Sequence, residues 1–220
     1  MQQPYAAHEV LESMEAMRTK AAEIEQHGFF ATQCQDPQLK QILLNHQQRM
    51  IQAYQQGIGL LQGKGAAITH QPPMVHGGDY SVGLQQSNQM STAPNPTPSK
   101  LSDNTISTLV LNTHKSGAMM GMVWANECAD ASLRNYHVQG ANLCQEMAYE
   151  VFQYMNHRGY YQTPALQDQQ VNTMFNSFQA IDQNQMSSQP TQQMLHNSHY
   201  GMNTNTNVQS NTHGTTGFYQ

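Results

Sequence analysis

The sequence predicts an all-α protein: a four-helix bundle made of two helical hairpins with a long crossover, plus a short C-terminal helix. Three observations carry this. Two stretches near 8–62 and 101–161 place apolar or small residues every three or four positions, the spacing of a helical face. A Pro/Gly/Ser-rich segment separates them. Sliding the sequence against itself by 94 residues superposes the two stretches at their turns, with Phe30 on Trp124, Ala31 on Ala125, Cys34 on Cys128 and Asp36 on Asp130. The match continues through Leu39 on Leu133, Lys40 on Arg134, Lys64 on Arg158 and Gly65 on Gly159. Such a repeat signals an internal duplication. Each hairpin has an apolar stripe that it cannot bury alone, and pairing them makes a bundle.

Residues 1–64 form the first hairpin. Its first helix is expected from His8 to Gly28, with Val10, Leu11, Met14, Met17, Ala21 and Ile24 on the inner face. The second runs from Pro37 to Gln62 with Leu39, Ile42, Leu43, His46, Met50, Ala53, Tyr54, Gly57, Leu60 and Leu61 inward. Asp36-Pro37 is a good start, because proline at the first helical position loses an N–H that has no helical partner. Residues 65–100 are a crossover linker, with Pro72-Pro73, Gly77-Gly78, Pro94, Pro96 and Pro98. About 35 residues can cross a bundle of roughly 38 Å, the length of a 25-residue helix.

Residues 101–181 hold the second hairpin and a short helix. Ser102 and Asp103 suit a helix start, a turn falls at Glu127-Cys128-Ala129-Asp130-Ala131, and Gly159 suits a stop. The expected inner faces are Ile106, Leu109, Val110, Thr113, Gly117, Met120, Val123 and Trp124, then Leu133, Tyr136, Gly140, Leu143, Cys144, Met147, Ala148, Val151, Tyr154 and Met155. After Thr163-Pro164, the stripe Val171, Met174, Phe175, Phe178 and Ile181 predicts a short helix that caps or packs beside the bundle. Residues 182–220 are an uncharged tail of Gln, Asn, Ser, Thr, Gly, Met and Tyr. That composition is too polar to fold alone and too uncharged to repel its own copies.

Charged residues make up only 10% of the chain and its net charge is -5, which leaves no electrostatic footprint for nucleic acid. No apolar run is long enough to span a bilayer, and no secretory signal opens the sequence. The expectation is a soluble protein made in the cytoplasm, with neither nucleic acid nor membrane as partner. Cys34, Cys128 and Cys144 show no CxxC pairing and their odd number argues against a disulfide framework.

A bundle of two hairpins invites a ferritin-like reading, with paired carboxylates and Glu-x-x-His motifs holding two metals. The motifs are missing: Glu23 is followed three residues on by Gln26, Glu127 by Asp130, Glu146 by Tyr149 and Glu150 by Gln153. His46 reads as a satisfied core histidine, since Gly140 stands at its 94-residue counterpart. No phosphate loop, nucleophile elbow or HExxH is present. The sequence therefore predicts no catalytic residue, no metal ligand and no cofactor. The alternatives are a ferritin-like metal-binding or redox protein with a ligand set drawn from Glu23, His46, Glu127, His137 and Glu146, and a soluble binding adaptor gripping a partner through Val171 to Ile181.

The ordered set Leu101-Ser102-Asp103, Lys115-Ser116-Gly117, Glu127-Cys128-Ala129-Asp130, Leu133-Arg134, Ala148-Tyr149, Phe152-Gln153-Tyr154-Met155 and Gly159-Tyr160-Tyr161 resembles the coat F family of bacterial spore coat proteins. Ala131 stands where that family often has proline, and Tyr160 where tryptophan is common. The resemblance implies a ferritin-like helical bundle with a structural, non-enzymatic role in the endospore coat. Its partners would be other coat proteins or further copies of the chain. Exposed Gln could be joined to Lys20, Lys40, Lys64, Lys100 or Lys115, and Tyr200 and Tyr219 to other tyrosines.

Overall fold

A computed structural model describes residues 5–63, 65–68, 80–83 and 93–181. The expectations for the rest of the crossover and for the tail 182–220 lie outside these residues. The elements are α1 (Ala7–Gln33), α2 (Pro37–Leu61), α3 (Asp103–Glu127), α4 (Ala131–His157) and α5 (Asp168–Phe175). Among the described residues there is no strand, only isolated bridges of Val82 and Gly83 to Thr163. The chain divides into two units, the first ending at Ala165. In the second, α5 buries none of its residues, and Met174, Phe175, Phe178 and Ile181 are exposed. The stripe, whose Phe178 and Ile181 lie beyond the end of α5, is therefore not part of a core.

In the first unit the helix starts follow the side chains expected to make them. The Asp36 carboxylate accepts from the Gln38 N–H at 2.8 Å ahead of Pro37. Asp130 Oδ1 accepts from the N–H groups of Ser132 and Leu133 at 2.9 Å, and Ser102 Oγ from that of Thr105 at 3.1 Å. These caps satisfy donors that a helix leaves unpaired in its first turn. α4 closes at His157, and Gly159 takes φ +72°, a left-handed conformation that suits glycine.

α1 differs from expectation. It runs through Gly28 to Gln33 instead of stopping at the glycine. A Cβ on Gly28 would stand 2.6 Å from Gln47 Nε2, and that amide donates to the Ile24 carbonyl at 2.9 Å. Gly28 thus makes room for a neighbouring helix. The inner faces of α1 and α3 are also rotated from those expected. Leu11, Met14, Leu109 and Val123 are exposed, while Glu9, Ser13, His27, Ser107 and His114 are buried. The faces of α2 and α4 agree closely with the sequence reading, with Leu39, Leu43, Met50, Leu133, Met147 and Val151 almost fully enclosed.

The packing joins α1 to α2 and α3 to α4, with α1 against α3 and α2 against α4 closing the ring. The 94-residue relation reappears as reciprocal capping. Asp103, opening α3, accepts from the N–H groups of Gln35 and Asp36 in the first hairpin's turn at 2.9 and 3.0 Å. Glu9, near the start of α1, accepts from those of Ala129 and Asp130 in the second hairpin's turn at 2.8 and 2.9 Å. All three pairs, Glu9 and Asp103, Gln35 and Ala129, Asp36 and Asp130, are 94 residues apart. Each hairpin therefore ties down the other's turn. The same contacts set the start of each hairpin beside the turn of the other, so the end of α2 and the start of α3 lie at opposite ends of the bundle. The crossover must run its length.

The described residues of the crossover are tied to the bundle at Ile68, whose carbonyl accepts from Asn135 Nδ2 at 2.8 Å, and around Ser81. Buried Asn156 accepts from the Ser81 N–H at 2.8 Å and donates to the carbonyls of Ser81 and Tyr161 at 3.1 and 3.0 Å. The core divides along the bundle. Phe30, Leu39, Leu43, Ile106, Val110, Val151 and Tyr154 fill the end nearest the first turn, and Met17, Leu60, Cys128, Leu133 and Tyr136 the other. Met50, Cys144 and Met147 form a third cluster. All three cysteines are free thiols, and burial pushes each up to about 11, so they stay protonated at neutral pH.

Candidate functional site

The middle of the bundle is not filled by hydrocarbon alone. His27 of α1, His46 of α2 and His114 of α3 are fully buried there, a costly choice unless their polar atoms are matched. His27 Nε2 lies 3.2 Å from His114 Nε2, and that nitrogen lies 3.2 Å from His46 Nδ1. One nitrogen from each ring falls in a group whose members all lie within 4.8 Å of one another.

The outer nitrogens of two of the rings are held by acceptors. His27 Nδ1 sits 2.8 Å from the Glu23 carbonyl; a carbonyl only accepts, so Nδ1 carries the hydrogen and Nε2 of the neutral ring presents a lone pair. His46 Nε2 sits 2.8 Å from Glu150 Oε2, which turns its Nδ1 inward to His114. His114 Nε2 faces both inward nitrogens and has at most one hydrogen to share between them. Its other nitrogen, Nδ1, is buried with no hydrogen-bond partner. Burial pushes His27 down to about 4, with the neighbouring His46 adding to the effect, and His114 down to about 2. Both rings are neutral at physiological pH.

Arg49 sits behind the cluster, 2.7 Å from Glu146 Oε2 and 3.5 Å from Glu150 Oε2. The 94-residue relation sets His27, His46 and His114 against Gly121, Gly140 and Lys20. These three line a cavity of about 320 Å³, together with Glu23, His137 and Cys144 among others. Where one half of the bundle carries imidazoles, the other carries glycines, a lysine and open space. His137 Nε2 is 3.2 Å from Ser13 Oγ, and burial, reinforced by Lys20, pushes this ring down to about 4. Glu23 is raised by burial, partly offset by Lys20.

Of the five residues in the alternative ligand set, only His46 joins the cluster. Glu23 contributes its carbonyl to His27 while its side chain lines the cavity. Glu127 is exposed at the end of α3, His137 belongs to the cavity, and Glu146 pairs with Arg49. A ferritin-like pair of metals needs bridging carboxylates, and this donor set of three imidazoles does not fit it. Sequence reasoning missed His27 and His114. Both lie on the two helices whose inner face was assigned one step too far round, and His27 fell at the supposed end of α1. The available signal was the polar series Glu9, Ser13, His27 at helical spacing, passed over in favour of the more apolar Leu11 and Met14.

Residues 102–164, the whole of α3 and α4 with their caps, match the Coat F domain. No curated protein matches the chain. Among solved structures, a candidate spore coat protein from Bacillus halodurans C-125 shares the fold, with a TM-score of 0.56 at 15% identity. The alignment covers 76% of this chain and 97% of that one. Its extent beyond the second hairpin agrees with a bundle in which both hairpins belong to one fold. The second hairpin, residues 102–164, is thus similar to the Coat F domain, and the solved structure shares the fold of the bundle.

Proposed function

We propose that the chain is a non-enzymatic structural component of the bacterial endospore coat. The observation that carries this reading is the coincidence of the Coat F match with a complete, mutually capped half of the bundle. The folded module supplies a rigid body, because every hairpin turn is held by the opposite hairpin. Assembly surfaces lie outside the core. The exposed stripe of Met174, Phe175, Phe178 and Ile181 and the uncharged, Gln- and Asn-rich tail suit contacts with neighbouring coat proteins or further copies of the chain. No described helix is long and apolar enough to cross a membrane.

Covalent incorporation is a second part of this reading. Lys40, Lys100 and Lys115 are exposed, and their amines could displace ammonia from Gln carboxamides of neighbours under a transamidating enzyme. Fractionated spores test this reading. The chain is expected in the coat fraction, with part of it in species larger than the monomer after denaturation without reductant. Quantitative release as monomer would exclude covalent incorporation, and absence from the coat fraction would contradict the reading as a whole.

A further inference from the structure

We propose that His27, His46 and His114 together bind one divalent transition-metal ion, zinc being the first candidate, at the centre of the bundle. Four observations meet there. First, three ring nitrogens converge from three helices, so the backbone of the bundle positions them and no loop has to close. Second, His27 Nε2 and His46 Nδ1 both crowd one nitrogen, His114 Nε2, at 3.2 Å, and a single hydrogen on that nitrogen could bridge only one of them well. A cation among the three nitrogens engages all of them at once.

Third, the outer contacts are those that metal-bound histidines use. A ligating imidazole almost always gives its other N–H to a carbonyl or carboxylate, which fixes the tautomer and ring angle. His27 has the Glu23 carbonyl and His46 has Glu150 in that role. Fourth, the spacing suits the ion. With Zn–N bonds of roughly 2.0–2.1 Å and tetrahedral angles, ligand nitrogens stand about 3.3 Å apart, against 3.2 Å for two of the pairs here. An all-imidazole set selects zinc, copper, nickel or iron over magnesium and calcium, which require oxygen. Among the described residues no carboxylate or thiolate joins the three nitrogens, so the fourth position falls to water or another small ligand.

The test uses the full-length chain, stripped with chelator and titrated with Co²⁺ alone, then with Zn²⁺ in competition. The expected result is one Co²⁺ per chain, visible absorption bands of a low-coordinate site, and their loss on adding Zn²⁺. His114→Gln should weaken binding by about 100-fold or more. Glu150→Gln, which takes away the carboxylate behind His46 together with its ion pair to Arg49, should weaken it by about 10-fold. His137→Gln, and a triple His196→Gln/His199→Gln/His213→Gln chain, should bind as the wild type does. X-ray absorption of the zinc-loaded wild type answers without any variant and is expected to show three imidazole nitrogens. Failure of the wild type to take up stoichiometric metal would overturn the proposal. So would binding that survives in His114→Gln but is lost in the triple variant, or a zinc shell of sulfur or of oxygen alone.

Discussion

Acidifying the metal-free chain from pH 7 to pH 4, with chelator present, is expected to remove at least about 3 kcal/mol of stability, as read from urea unfolding midpoints. His137 is the simplest contributor. Burial holds its folded-state value down to about 4 from an ordinary 6.5. Between those values the unfolded chain binds the proton and the folded chain does not, so stability falls as the pH falls through that window. Above it the contribution is complete. His27 and His114 act in the same sense. A His137→Leu chain should show a shallower loss across the same window. Below about pH 4 a second loss should follow from the carboxylates. For Glu9, burial acts to raise its value but the N–H groups of Asp130, Ala6 and Ala129 prevail and lower it. For Asp36, burial is likewise outweighed by the Gln38 N–H, the Tyr154 hydroxyl and the Arg158 guanidinium. Their stabilisation exists only while they are ionised. A midpoint independent of pH from 7 to 4 would contradict the buried, neutral state of these histidines.

Replacing Glu9 with alanine is expected to cost about 3 kcal/mol at pH 7, measured the same way. The side chain is only 2% exposed, and its loss removes the acceptor for Ala129 and Asp130 of the opposite hairpin and for the Ala6 N–H at 2.6 Å. Asp103→Ala removes the matching contacts at the other end, where the turn is more open to water, and should cost about half as much. The two sites lie at opposite ends of the bundle and share no partner, so the double variant should lose close to the sum. A neutral Glu9→Ala would show that the hairpins do not depend on each other's turns.

Much of the architecture was legible in the sequence because α2 and α4 keep their apolar residues on the buried side, from Leu39 to Leu60 and from Leu133 to Met155. The turns were legible because Asp36, Ser102 and Asp130 are capping residues with a local role. The reciprocal capping by Glu9 and Asp103 was not. A charged residue in the first turn of a helix is ordinarily solvated, and only the tertiary arrangement shows each one reaching the opposite turn. The histidine cluster was hidden for a related reason. Hydrophobic periodicity assigns the core by apolarity, and in α1 and α3 that rule selects Leu11, Met14, Leu109 and Val123, all of them exposed. Polar residues took the inner positions because they find partners there: Glu9 in backbone N–H groups, Ser13 in His137, His27 and His114 in each other and in His46. Searching for Glu-x-x-His could not find this site, since its three donors sit on three helices and have no repeat across the duplication.

The most direct measurement of the central claim is the position of a fluorescent fusion of the full chain followed through sporulation. On the proposed reading, the chain is expected to gather around the developing spore and to remain with the purified spore coat. Signal that stayed diffuse in the mother-cell cytoplasm to the end of sporulation would contradict the account.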